Sequence, residues 1–184
     1  FFVIFAAKKI ISALPINILF KWKSTVKLIA KKNSIDYLFI DDLNKYLSFD
    51  NISKDDIVFS FQHQIIKNPE KYDFLLINCH PGDLSFYRGI KPIFWAMLDC
   101  QKRNYISIHL IDSGIDTGEI IHQGRPDIYI GDNSHQIGNR TIIKMVNEIM
   151  LLLINFKKIK RKKQILKIKS KIFKKKDFTL KSLL

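Results

Sequence analysis

The sequence predicts an α/β fold, a mostly parallel sheet flanked by helices, and three observations predict it. Apolar runs alternate with helically periodic stretches along the chain. Two of the runs, 56-DIVFSF-61 and 73-DFLLIN-78, are bounded by polar residues, the pattern of strands covered on both faces. The 184 residues, 47% of them apolar, are enough for one domain with a proper core.

Each element has its own reason. Residues 1–14 are apolar and then amphipathic, a strand remnant or a helix that ends before Pro15, and residues 16–20 (INILF) read as a short strand. Residues 23–32 have a helical period that puts Val26, Ile29 and Ala30 on one face. Residues 37–40 (YLFI) read as a strand, and residues 41–44 as a turn or helix cap. After the two strands at 56–61 and 73–78 comes a loop over 81–89. A helix follows from Pro92 to about Gln101, with proline in its first turn. Residues 106–111 (ISIHLI) alternate as a strand does, residues 114–118 form a glycine-bracketed turn, and residues 119–123 (EIIHQ) return as a strand. A long helix then runs from Ser134 to about Phe156, capped by Asn133 or Ser134. There is no internal repeat and no Ser/Gly linker.

The net charge of +14 is unevenly spread. Residues 157–184 hold 13 Lys/Arg and one acid, Asp177, so the body is close to neutral. That distribution weakens the inference of nucleic-acid binding that the overall charge invites. Two cysteines, Cys79 and Cys100, form no CxxC and no metal pattern, and a reduced, cytoplasmic setting is the simplest reading. His63, His109, His122 and His135 show no metal-ligand spacing, so no metal site is expected. No apolar run is long enough for a membrane span, and the N-terminus lacks the layout of a signal peptide.

The chemistry concentrates in 77-INCHPGDLSFYRG-89. Asn78 and His80 end a strand two residues apart, so their side chains share one side, at the carboxyl edge where open α/β sheets bind ligands. Pro81-Gly82 turns the chain away. In 112-DSGIDTGEII-121 two glycines bracket Asp116 in a tight turn that can bring a carboxylate to the imidazole. Asn, His and Asp together can run an acyl or formyl transfer. The amide donates to the oxyanion, the imidazole moves protons, and the carboxylate orients the imidazole and favours its cation. No nucleophilic Ser or Cys is needed when an amine attacks directly. Alone, an Asn-x-His at a strand end is more often structural. Trp95 reads as core, and Cys79 as a buried small hydrophobe.

The spaced residues Asn78, His80, Pro81; Tyr87, Arg88, Gly89; Pro92, Trp95, Ala96; and Asp112, Gly114, Asp116, Thr117, Gly118, Ile120 resemble the signature of the 10-formyltetrahydrofolate-dependent formyltransferases. The family includes methionyl-tRNA formyltransferase, glycinamide ribonucleotide formyltransferase and the sugar N-formyltransferases, which the chain most resembles. The resemblance implies a Rossmann-like formyltransferase fold with Asn78, His80 and Asp116 as the catalytic triad. It implies that Gln64 and Ile65 line the pterin pocket. It also implies that Gly82, Asp83, Leu84 and Ser85 form the folate-side loop, with Asp112 on the cofactor side and Tyr87 and Arg88 towards the substrate. For Arg88 a substrate phosphate and a loop-bracing ion pair are both open, and Asp112 reads as structural rather than catalytic. The loop departs from the family's Ser-Leu-Leu-Pro at Gly82, Asp83 and Ser85. The family's glycine-containing first strand is expected to be missing or degraded, with the N-terminus truncated, and the C-terminal β-domain of the tRNA enzymes to be absent.

The resemblance thus implies an enzyme, a formyltransferase of one-carbon metabolism with 10-formyltetrahydrofolate as co-substrate and no metal. Its acceptor would be the primary amine of a nucleotide-linked amino sugar, as in surface polysaccharide synthesis. The alternatives are a methionyl-tRNA or glycinamide ribonucleotide formyltransferase, or a non-catalytic folate- or nucleic-acid-binding remnant. Residues 1–156 are expected to form the catalytic domain, and 157–184 a hairpin or extension of it. RNA-binding and membrane-surface readings of that basic segment stay open, as does a homodimer.

Overall fold

The computed structural model describes residues 27–36, 42–47, 52–61, 64–101, 104–155 and 171–179. The strand remnant or helix expected at 1–14 and the strands expected at 16–20 and 37–40 lie outside these residues, as does most of the basic segment. Residues 27–32 are helical, as their period predicts. Ala30 is buried there but Ile29 faces solvent, so the expected shared face narrows to Ala30 among the described residues.

The elements that follow are α1 (Leu43–Leu47), β1 (Ile57–Ser60), a 3-10 turn (Pro69–Lys71), β2 (Leu75–His80), β3 (Tyr87–Gly89), α2 (Pro92–Leu98), β4 (Ile106–Leu110), β5 (Ile120–Gly124), α3 (Ser134–Ile154), β6 (Lys171–Phe173) and a last 3-10 turn (Lys175–Asp177). The helix cap read at 41–44 is Asp42, whose Oδ1 accepts from the backbone N–H groups of Asn44 and Lys45 at 3.0 and 3.4 Å. Asn133 closes a capping box on α3: its side chain accepts from His135 and Gln136 N–H, while Gln136 Oε1 accepts from Asn133 N–H.

The α/β class holds. One sheet has the order β1-β2-β4-β5, and a separate pair joins β3 to β6. β1 and β2 are parallel, as expected, but β4 runs antiparallel to both β2 and β5, so the described sheet is mixed. The loop expected over 81–89 contains a strand, because residues 87–89 pair in parallel with β6.

Alternation along β2 sorts its side chains. Ile77 and Cys79 join Phe59, Ile106 and Ile108 in a core closed by Met145 and Ile149 of α3. On the opposite face Leu76 packs with Val58, Leu43, Leu47 and Ile66. That second face is apolar at Leu76 and turns polar at Asn78 and His80. It therefore stops being core at the carboxyl edge, where the chain leaves the sheet. β5 and α3 are further tied by Glu148, which sits 2.8 Å from both His122 Nε2 and Lys144 Nζ. Burial would raise the Glu148 carboxyl, but the contacts with Lys144 and His122 outweigh it and hold it below its usual range.

Candidate active site

Asn78 and His80 project from the end of β2, and the structure brings Asp116 between them. Asn78 Nδ2 donates to Asp116 Oδ1 at 3.1 Å, and His80 Nδ1 lies 3.4 Å from Asp116 Oδ2. Asp116 reaches this place from a turn that the sequence builds locally. Asp112 Oδ1 accepts from Gly114 N–H at 3.1 Å and from the Thr117 hydroxyl at 2.6 Å, and Asp116 itself takes a left-handed φ of 54°. Asp is among the residues that tolerate this conformation. Asp112, expected on the cofactor side, is thus the brace of the turn that presents Asp116.

Backbone groups complete the cluster. Gly89 N–H donates to Asp116 Oδ2 at 2.7 Å. His80 Nε2 lies 2.7 Å from the carbonyl oxygen of Tyr87. A carbonyl only accepts, so Nε2 carries the proton of that bond, and Nδ1 is the nitrogen that faces the carboxylate. His80 is buried, and the Asp116 side chain is 13% exposed. Burial raises the Asp116 carboxyl. Hydrogen bonding with His109, the charge of His80 and the Gly89 N–H outweigh it, and the group is pushed down to about 2. The carboxylate therefore stays charged at neutral pH.

His109 is the residue that sequence reasoning missed. It lies on β4 directly opposite Asn78. Its Nε2 is 3.2 Å from Asn78 Nδ2 and 3.5 Å from Asp116 Oδ1, while Nδ1 donates to Leu110 O at 2.7 Å. The available signal was parity: in ISIHL the two isoleucines alternate with Ser107 and His109. If Ile106 and Ile108 face the core, His109 faces the side of Asn78.

The remaining expected residues take varied places. Ser60 pairs with Asn78 at the end of β1, so the segment that follows β1 runs along the same edge. There Gln64 bridges to α1: its Nε2 donates to Asp42 Oδ1 and its Oε1 accepts from Leu43 N–H. Ile65 leaves its side chain 65% exposed while its carbonyl accepts from Asn44 Nδ2. Gly82 sits where a Cβ would come within 2.5 Å of Pro92 and 3.0 Å of His80 Nε2, so the glycine that departs from the family loop is the residue that fits. Gly82 O accepts from the Ser107 hydroxyl. Asp83 caps Ser85 N–H, and Leu84 is fully buried. Tyr87 reaches the cluster through its carbonyl. Its side chain is buried and its hydroxyl donates to Asp99, the C-cap of α2, at 2.9 Å. Burial and that carboxylate raise the Tyr87 phenol. Arg88 is buried in β3. Trp95 and Cys79 are core, as read, and burial raises the Cys79 thiol. Among the described residues no group of three His, Cys, Asp or Glu side chains is arranged to hold a metal, and no helix is long and apolar enough to cross a membrane.

Known proteins resemble this chain in sequence or in fold. Methionyl-tRNA formyltransferase of Finegoldia magna is 29% identical over 133 residues, covering 70% of this chain and 37% of that protein. The formyltransferase PseJ of Anoxybacillus kamchatkensis was solved with UDP-4,6-dideoxy-4-formamido-L-AltNAc and tetrahydrofolate. It is 25% identical, with a TM-score of 0.65 and 84% of this chain and 82% of that chain covered. The N-formyltransferase of Helicobacter canadensis, solved with folinic acid and dTDP-3-aminofucose, is 27% identical, with a TM-score of 0.63 and coverages of 82% and 54%. The chain spans about a third of the length of the methionyl-tRNA formyltransferases it matches. Residues 50–154, more than half of the chain, match the model of the formyl transferase family, and the chain belongs to that family.

Proposed function

We propose that this chain transfers a formyl group from 10-formyltetrahydrofolate to a primary amine, and that the amine belongs to a nucleotide-linked amino sugar. The observation that carries the reaction is Asp116, charged and set between Asn78 and His80 at the carboxyl edge of β2. The donor supplies a formyl group already bound to nitrogen and open to attack by an amine. Asn78 releases one N–H from Asp116 to the negative charge that develops on the formyl oxygen. Asp116 favours the imidazolium of His80, and with Nε2–H held by Tyr87 O it is Nδ1–H that turns from Asp116 to the same oxygen and passes a proton between the attacking and departing nitrogens. Gln64 and Ile65 would lie along the donor, with the exposed Ile65 as apolar surface, beside the turn of Gly82, Asp83 and Ser85. The basic segment 157–184 belongs to the same catalytic domain in this reading, a view supported by the pairing of its residues 171–173 with β3. The free thiols Cys79 and Cys100 support a cytoplasmic setting.

The sugar acceptor is supported by the two solved relatives that hold nucleotide-linked sugars. A methionyl-tRNA acceptor is the second reading, favoured by the Finegoldia relative and the basic C-terminal charge. A panel of amine acceptors assayed by mass spectrometry tests both. Formylation of a UDP- or dTDP-amino-sugar that falls by at least about 10²-fold in His80→Ala is the expected result. Formylation of charged initiator tRNA alone would overturn the sugar acceptor, and folate binding without turnover on any amine would overturn the enzyme.

A further inference from the structure

We propose that β6, anchored by Phe173, is a positioning element for the catalytic pair: it sets the two backbone groups of β3 that orient His80 and Asp116. The inference rests on the formyl-transfer reading and assigns that site a support from the far C-terminal segment. Those two groups are the Tyr87 carbonyl, 2.7 Å from His80 Nε2, and the Gly89 N–H, 2.7 Å from Asp116 Oδ2. Both lie on a three-residue strand whose partner in its two-stranded sheet is β6, with Tyr87 opposite Lys171 and Gly89 opposite Phe173. The ladder is bracketed by Lys171 N–H donating to Phe86 O at 3.2 Å and Ile90 N–H donating to Phe173 O at 3.0 Å.

Two features make this pairing a fixed register. Gly89 has a φ of 87°, and a Cβ there would overlap the Phe173 carbonyl oxygen, so the β6 backbone lies against the bare face of the glycine. The Phe173 ring stacks on Trp95 with centroids 4.4 Å apart, and Trp95 Nε1 donates to Ile90 O at 3.1 Å. Phe178 meets Phe94 edge-on at 4.9 Å and carries Lys91 Nζ 3.6 Å above its ring. β6 is thereby fastened to α2, and β3 is held between that assembly and the site. A displacement of β3 moves an acceptor of His80 and a donor of Asp116 together. Misplacement by about 1 Å costs on the order of 10²-fold in rate.

The test compares the wild type with Phe173→Ala, Phe173→Leu and, as a control for general destabilisation, Ile149→Ala in the α3 core. Formyl transfer is measured alongside the NMR resonances of the His80 ring, assigned by their loss in His80→Ala. The expected result for Phe173→Ala is a kcat reduced about 10- to 100-fold, an acceptor KM changed by less than about threefold and shifted His80 resonances. Phe173→Leu, which keeps an apolar side chain but loses the stack on Trp95, gives a smaller change of both in the same direction. Ile149→Ala loses thermal stability and leaves the His80 resonances in place. A folded Phe173→Ala with wild-type kcat and unmoved His80 resonances would overturn the proposal. If Phe173→Ala does not fold, Phe173→Leu decides, and unmoved resonances there overturn it as well. If the wild type formylates no amine, the functional reading fails, and the His80 resonances alone decide whether β6 positions the pair.

Discussion

Asp116 holds Asn78, His80, His109 and the Gly89 N–H within one cluster, and its titration should be visible in the stability of the whole protein. Its carboxyl is held at about 2 against an ordinary 3.8. A carboxylate depressed on folding adds stability that is fully present above the unfolded value and is lost as pH falls through the folded one. Wild-type protein should therefore lose on the order of 2 kcal/mol from this group between about pH 4 and pH 2, and Asp116→Asn should lack that component. Urea titrations across this range check it, and parallel curves for the two proteins would count against the assigned contacts. The same substitution should lower kcat by about 10²- to 10⁴-fold at neutral pH, because His80 loses the carboxylate that faces its Nδ1. His109 stands beside this carboxylate on the strength of strand pairing alone. Parity in ISIHL sets only the face it takes; the pairing sets its neighbour, whereas His135 lies exposed in the first turn of α3.

The helices end where specific residues end them. α2 was expected to reach about Gln101 but stops at Leu98, because Cys100 turns left-handed with a φ of 53°. Cys100 N–H bonds Met97 O, and Gln101 N–H bonds Ala96 O, both at 2.9 Å, which is a Schellman closure with cysteine where glycine is usual. α3 begins at the Asn133 capping box, and here the sequence expectation was met. Asn133→Ala should cost about 0.5–2 kcal/mol in chemical denaturation, with activity per folded molecule unchanged. β4 is a case between these two. Its alternation was legible, with Ile106 and Ile108 towards α3 and Ser107 and His109 on the other side. That both sides are covered was not, since residues 106–109 are all buried.

The two apolar cores lie on opposite faces of the same sheet, so a defect in the sheet should weaken both. Ile108, with no exposed surface, is in the middle strands of that sheet. Ile108→Ala should lower the unfolding free energy by about 2–5 kcal/mol in a single transition, seen alike by far-UV circular dichroism and, in a Trp22→Phe background, by Trp95 fluorescence. Separate transitions for the two probes would mean that the aromatic cluster around Trp95 and Phe173 unfolds by itself. The charge map also takes on a structural meaning. Within the lysine-rich C-terminal segment, Ile172 and Phe173 are the residues that turn inward at β6, while the lysines of 174–176 stay exposed.

The sequence by itself determined the order and type of the elements from β1 to α3 other than β3, the common facing of Asn78 and His80, and the motif that marks the family. These depend on near neighbours: a period of two or of 3.6, a proline or asparagine at a helix start, a turn that Asp112 and Thr117 brace across five residues. Only the tertiary structure decided that β4 runs antiparallel to β2, which sets His109 opposite Asn78. It alone buried Leu84, turned the Tyr87 side chain towards Asp99 and paired β3 with β6. Those outcomes depend on which distant segment covers a given face or satisfies a given backbone group. That choice is made by burial and hydrogen-bond satisfaction across the whole molecule, and it leaves no periodic trace in any one stretch of chain.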